Sequence, residues 1–167
     1  NFGNVFNLIT QIQSGVFAII GDGKNIKSLA YAPNLVDSVI YVLNHIKKPL
    51  FIYNYSDYPQ KGISDQSELI SKLLKKRKPI RIPLFLTKII TIPIDFFEII
   101  LRKDLKINSM RVKKFTIQTF FNSDLIRNKG FIQKYSLENA LTRTIKWIKN
   151  NDVKNLRKIW YEKASKL

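Results

Sequence analysis

The opening succession of an amphipathic helix, a short apolar strand and a glycine turn constrains this chain most. Four apolar residues recur at helical spacing: Val5, Leu8, Ile9 and Ile12. Gly15 then predicts the end of the helix, and residues 16–20 (VFAII) predict a strand that closes in the turn GDG at 21–23. A helix followed by a strand in this way favours an α/β fold.

The middle of the chain continues the alternation. Residues 27–32 (KSLAYA) are expected to be extended, and Asn34 is expected to cap a helix. The buried face predicted for that helix consists of Leu35, Val39, Val42 and Leu43. Residues 49–56 (PLFIYNYS) predict a strand, and Ser64 is expected to cap a helix over 63–76.

The second half is less regular. Residues 80–103 are strongly apolar and interrupted by Pro83 and Pro93, while residues 110–123 are expected to be extended. A further helix is predicted over 136–151, where Ser136 and Asn139 form a capping signature. Its expected apolar face consists of Leu137, Ala140, Leu141, Ile145 and Ile148. Residues 153–167 (VKNLRKIWYEKASKL) are basic, and a helix is expected there.

The charge is strongly positive, with 29 Lys and Arg residues against 12 Asp and Glu residues and a formal net charge of +17. One interpretation is an anionic partner, which could be nucleic acid, a membrane surface or a phosphorylated substrate. The other is a composition rich in Lys, Ile and Asn from AT-rich codons, since the lysines are spread along the chain.

Absence of cysteine excludes disulfides and thiolate metal sites and fits a cytoplasmic setting. With His45 as the single histidine and no ligand-spaced acidic cluster, no metal site is expected.

Three residues could converge on a diphosphate. Asn4 lies just before the first predicted helix, where free N–H groups bind anions. Lys27 follows the glycine turn, and Arg111 stands at the head of a predicted strand. Each also has an ordinary structural interpretation, as a helix cap or a solvated surface charge, and spacing alone does not decide between them.

The order of segments resembles the C-terminal part of the extended short-chain dehydrogenase/reductases, the NAD-dependent sugar-nucleotide epimerases and dehydratases. The similarity covers nearly the whole chain to about residue 148. The matching segments are GNVFNLITQIQSGVFAIIGDGKNIKSLAYAPNLVDSVIYVL, FIYNYSD, SELISKLL, IRIP and SMRVKKFTIQTFFNSDLIRNKGFIQKYSLENALTRTI. The fold this implies is the C-terminal portion of a Rossmann-type sheet plus a small α+β substrate-binding domain, over residues 1–148, followed by a basic helical tail over 149–167.

The resemblance also assigns residues. Asn4 and Val5 correspond to the pair that touches the substrate diphosphate and base, and Ala18 and Ile20 correspond to positions lining a uracil pocket. Two cations correspond to the family's phosphate-binding arginines: Lys27 and Arg111. The chain departs from the family pattern where Asp, His and Asp are common, because those positions hold Ser28, Tyr31 and Asn34.

The resemblance implies an NAD-dependent epimerase or dehydratase that acts on a nucleotide-sugar, expected to be a UDP-sugar used for surface polysaccharide, and a homodimer. No Tyr-x-x-x-Lys pair and no glycine-rich dinucleotide loop occur in these 167 residues. The chain starts at Asn1 without methionine, so we expect a longer protein whose preceding part binds most of the NAD. These residues alone are expected to be catalytically inactive.

Two alternatives follow from the same residues. Phe115, Phe120 and Phe121 among lysines could bind nucleic acid, or could alternate in and out of a sheet core. Residues 80–101 are too interrupted for a clean membrane span, and a pair of short helices covering the substrate cleft is the preferred interpretation. The alternative there is interfacial docking through Phe96 and Phe97 beside the basic stretch 102–106.

Overall fold

The computed structural model describes residues 3–101, 109–153, 155, 156 and 158; the side chains of 88, 95–101 and 111 are outside this description. The helices of this part of the chain are α1 (Asn4–Gln13), α2 (Ala32–His45), α3 (Ile63–Leu74), α4 (Leu84–Leu101), α5 (Ser109–Thr116), α6 (Asp124–Asn128) and α7 (Leu137–Asn150). Its strands are β1 (Ala18–Ile20) and β2 (Ile80–Ile82).

The two strands form a parallel pair in which Ala18 aligns with Ile80 and Ile20 with Ile82. A parallel pair requires a crossover, and α2 and α3 lie between the strands in the sequence. This arrangement confirms the predicted α/β class.

The core lies between α1, α3, α7 and β1. Its buried side chains are Ile9, Ile12, Phe17, Ile19, Ile63, Ile70, Leu74, Leu137, Leu141 and Ile145. The apolar faces predicted for α1 and α7 are therefore confirmed, with Val5, Leu8 and Ile148 partly buried at their edges. The predicted cap of α7 is also confirmed, because the Ser136 hydroxyl accepts a hydrogen bond from the Asn139 N–H at 3.2 Å.

The prediction for α2 was wrong in two respects. The helix starts at Ala32, and Asn34 lies inside it rather than capping it. The residues that α2 buries are the polar Asn34 and Ser38, whereas the predicted face is largely exposed, with Val39 at 45% and Leu43 at 73%. Helical periodicity locates an apolar stripe but does not show whether another element covers it.

Three further predictions need correction. Residues 49–56 belong to no strand, because no described segment forms a ladder with them. Ser64 lies within α3, and Gly62 precedes the helix at its N-cap. Residues 109–116 are helical rather than extended. Val112, Phe115 and Thr116 are the partly buried residues there, and their spacing of three and four is helical.

Residues 80–101 also fold differently from the prediction. Ile80–Ile82 form β2, and one continuous helix, α4, replaces the expected pair and carries Pro93 within it. Within the described ranges, no helix combines the length and apolar character needed to cross a bilayer.

Candidate diphosphate-binding site

Strand β1 divides its residues between two faces. Ile19 is 1% exposed and belongs to the core, while Ala18 and Ile20 are half-buried on the opposite face. This alternation leaves the two predicted base-contacting residues on one side of the sheet, partly open to solvent.

Helix α5 packs against β1 and is tied to the loop that follows β1. The Phe115 and Phe17 rings lie 5.8 Å apart, and the Asn25 amide donates to the Phe115 carbonyl at 2.9 Å. A backbone bridge between Lys27 and Thr119 continues the contact beyond the helix. The loop after β1 and α5 therefore form one connected unit.

Lys27 lies at the C-terminal end of α5. Its ammonium donates to the carbonyls of Lys114, at 3.1 Å, and Ile117, and to the Thr119 hydroxyl at 3.3 Å. A lysine has three N–H donors, and the C-terminal end of a helix carries partial negative charge. Partial burial lowers the pKa of Lys27. In this structure the cation therefore caps a helix, and its contact with phosphate stays a prediction.

Arg111 belongs to the first turn of the same helix, not to the head of a strand as predicted. Its side chain lies outside the described part of the chain. The Lys114 carbonyl that Lys27 contacts is three residues further on, which is about 4.5 Å along a helix axis. The Lys27 ammonium thus lies close to the helix backbone that carries Arg111.

Asn4 and Val5 form the start of α1. Asn4 is exposed, and Val5 packs against the edge of the core. Gly3 occupies the N-cap position and provides no side chain to cap the helix. Free N–H groups in a first helical turn attract anions, so this end of α1 is compatible with the predicted role.

The glycine turn has a packing function. A Cβ on Gly23 would lie 2.7 Å from Ile19 Cγ2 and 2.9 Å from Ser64 Cβ, and Gly23 has a φ of +67°. The turn is therefore pressed against the core and α3. It does not form the open, backbone-lined loop that binds a dinucleotide pyrophosphate, and we assign no NAD contact to it.

A buried polar cluster, defined here by Asn34, Asp57, Tyr55, Tyr31 and Tyr135, was not anticipated from the sequence. The Asp57 carboxylate accepts from the Tyr31 N–H at 2.8 Å, the Asn34 amide at 2.9 Å and the Tyr55 hydroxyl at 2.9 Å. Burial raises the pKa of Asp57, although these three donors oppose that shift. Burial and the neighbouring Asp57 raise the pKa of Tyr55, so its hydroxyl stays a hydrogen-bond donor. Tyr31 and Asn34, which depart from the family pattern, thus both belong to this buried polar cluster.

A cleft of about 230 Å³ lies beside this cluster. It is lined by Tyr55, Ser56, Tyr58, Arg127, Phe131, Ile132 and Gln133. The Arg127 guanidinium stacks 4.7 Å from the Tyr58 ring centroid and donates to Ser123 Oγ at 2.7 Å and Asp124 Oδ1 at 2.6 Å. These contacts hold Arg127 in place. No metal-binding group of three ligating side chains occurs in the part of the chain described.

The chain matches one characterised relative over most of its length. It is 33% identical over 148 residues to the N-acetyl-alpha-D-glucosaminyl-diphospho-ditrans,octacis-undecaprenol 4-epimerase of Escherichia coli O157:H7. The matched region is 88% of this chain and 45% of that relative.

The resemblance to the extended short-chain dehydrogenase/reductases is confirmed.

Solved structures of this family share the fold. The chain superposes on dTDP-glucose 4,6-dehydratase from Bacillus anthracis, in complex with NAD, with a TM-score of 0.53 and 17% identity over 87% of this chain and 39% of that one. It also superposes on UDP-glucuronic acid 4-epimerase from Bacillus cereus, in complex with UDP-glucuronic acid and NAD, with a TM-score of 0.53 and 18% identity over 86% and 38% of the two chains. No family model matches the chain.

The chain thus spans less than half the length of these relatives and corresponds to their C-terminal portion. This agrees with the predicted fold class. The roles predicted for the six site residues, and the domain boundary at residue 148, stay predictions.

Proposed function

We propose that this chain forms the substrate-binding part of an NAD-dependent epimerase or dehydratase whose substrate is a sugar attached to a diphosphate. The observation that carries the proposal is the 33% identity to a 4-epimerase over 88% of the chain. The contact of α5 with β1 supports it, since the elements carrying Arg111 and the Ala18–Ile20 pair then adjoin each other.

A diphosphate occurs both in the substrate that the sequence resemblance implies and in the substrate for which the characterised relative is named. The sequence resemblance implies a UDP-sugar, whereas the characterised relative is named for a sugar diphosphate carried on undecaprenol. Both substrates present a pyrophosphate between the sugar and a second group. A cationic site formed from Arg111, Lys27 and the start of α1 would recognise that shared group.

The chemistry at the sugar is assigned to no residue of this chain. NAD in such an enzyme accepts and returns a hydride, and it needs a general base close to the sugar hydroxyl. None of the seven tyrosines is followed four residues later by lysine. The residues present contribute to binding and orienting the substrate, and we derive no catalytic step from them.

The test is a calorimetric titration of the chain with UDP-N-acetylglucosamine and with a short-chain polyprenyl diphosphate of the same sugar. We expect Arg111→Ala to weaken binding by about 1.5–3 kcal/mol, or roughly 10- to 150-fold, because a charged hydrogen bond is lost. Tighter binding of one compound would identify the second group on the diphosphate.

Lys113→Ala is the matched control. It removes one positive charge from the same helix, at an exposed position two residues away. If both variants weaken binding equally, or if Arg111→Ala has no effect, the proposed phosphate site is wrong.

A further inference from the structure

Helix α4 has its polar and apolar faces reversed relative to an ordinary surface helix. Its buried side chains include the small polar Thr87 and Thr91, at 6% and 3% exposure. Its outer side carries large apolar side chains, with Phe85 at 63%, Ile89 at 62% and Ile92 at 67% exposure. A surface helix normally buries its apolar stripe and exposes its polar one.

The helical geometry explains this reversal. Phe85, Ile89 and Ile92 are separated by four and three residues and therefore share one face. Thr87 and Thr91 lie on the opposite face. Leu86 and Ile90, at 39% and 53% exposure, widen the outer face. So large an exposed apolar surface is typical of a contact site.

Positive charges precede α4 and follow it in the sequence, and others lie on the helix that packs against it. Exposed Lys75, Lys76 and Arg77 precede β2 and α4 in the sequence, and exposed Lys113 and Lys114 belong to α5, which packs against α4. The sequence after α4 adds Arg102, Lys103 and Lys106. This combination of an apolar face and flanking cations matches the requirements of an anionic lipid surface.

We propose that α4 docks the protein on an anionic membrane, lying in the interface with Phe85, Ile89 and Ile92 inserted among the lipids. Binding to the surface is favoured over spanning, because α4 does not qualify as a membrane-spanning helix and contains Pro93. Protein–protein contacts are less well matched, because lysine is depleted at such interfaces. The inference does not depend on the proposed function, although docking would bring a lipid-linked diphosphate within reach.

The first experiment is vesicle flotation of the chain. Vesicles of phosphatidylcholine with about one quarter phosphatidylglycerol are expected to carry the protein at low salt, and vesicles of phosphatidylcholine alone are not. The combined variant Phe85→Ser, Ile89→Ser and Ile92→Ser should lower the partition coefficient by about a hundredfold, because the inserted apolar surface is lost. Circular dichroism would verify that this variant folds.

The matched control is a triple serine variant of α2, whose exposed apolar stripe is followed in the sequence by two exposed lysines, Lys47 and Lys48. Val36, Ile40 and Leu43 are 54%, 50% and 73% exposed. The control should retain binding to the anionic vesicles. Equal loss in both variants would indicate general adhesion of apolar surfaces and overturn the proposal, as would no flotation of the unmodified chain.

A second measurement avoids the triple variant. Because the chain lacks cysteine, Ile89→Cys can be labelled at one site with an environment-sensitive fluorophore, and Leu43→Cys provides the comparison. Anionic vesicles should shift the emission to the blue at position 89 and not at position 43. If instead the protein self-associates and the α4 variant dissociates it without changing flotation, the face is an interface between copies and the membrane proposal is wrong.

Discussion

Replacing Asn34 with alanine tests the buried polar cluster most directly. Asn34 is fully buried and joins three chain segments. Its amide donates to Asp57 Oδ1 and to the Tyr135 carbonyl, both at 2.9 Å, and its carbonyl accepts from the Tyr135 N–H at 3.0 Å. Alanine removes all three hydrogen bonds.

The magnitude follows from what each partner retains. Asp57 Oδ1 keeps the Tyr55 hydroxyl, and the Tyr135 carbonyl keeps the Gln133 amide at 3.2 Å. At about 1 kcal/mol for each lost bond, Asn34→Ala should lower the free energy of unfolding by about 3 kcal/mol. For a chain of this size that corresponds to a fall in Tm of roughly 10 °C.

The assay is urea denaturation followed by circular dichroism, with Asn44→Ala as the control because Asn44 is an exposed residue of the same helix. Asn34→Asp adds a second criterion. It keeps the shape but sets a carboxylate against Asp57, so it should be more destabilising near pH 7 than near pH 4, where protonation relieves the repulsion. A difference below about 1 kcal/mol between Asn34→Ala and Asn44→Ala would refute the argument.

Two further variants probe packing and charge. Gly23→Ala should lower the free energy of unfolding by about 2–4 kcal/mol in urea denaturation, because its Cβ would overlap Ser64 and its φ is positive. Gly21→Ala, where φ is +72° and the space around the new Cβ is open, should lower it by only about 1 kcal/mol. Equal effects of the two variants would contradict this reasoning. Asp57→Asn tests the raised pKa. The pKa of Asp57 in the folded protein lies above the ordinary value of 3.8. The free energy of unfolding of the unmodified chain, relative to that of this variant, should therefore fall as the pH rises from about 4. Denaturation at a series of pH values measures the trend, with Asp22→Asn as an exposed control. If the unmodified chain instead gains stability relative to Asp57→Asn as the pH rises, the prediction is wrong.

Predictions from local sequence patterns were right where the pattern lies within a single helix. The predictions for α1 and α7 were right because their apolar stripes are strong and both are covered by the core. The Ser136 cap was predictable because a capping hydrogen bond spans only three residues. The order of such segments was also enough to identify the family, since it depends on spacing along the chain.

The site was only partly predictable. The sequence indicated Lys27 as a phosphate ligand, but not the acceptors of its three N–H donors, which are the carbonyls of Lys114 and Ile117 and the Thr119 hydroxyl, because those oxygens lie some ninety residues further along the chain. The sequence also predicted no role for Asp57. Its importance comes from Asn34, Tyr31 and Tyr55, which meet it only after folding.

The sequence by itself determined the α/β order of elements, the positive charge and the relationship to the epimerases, because these depend on periodicity, composition and spacing. Only the tertiary structure decided which stripes are covered. It turned the apolar sides of α2 and α4 outward and buried Asn34 and Thr91. The physical reason is that burial depends on which surfaces face each other, and that is set by contacts between residues far apart in the sequence.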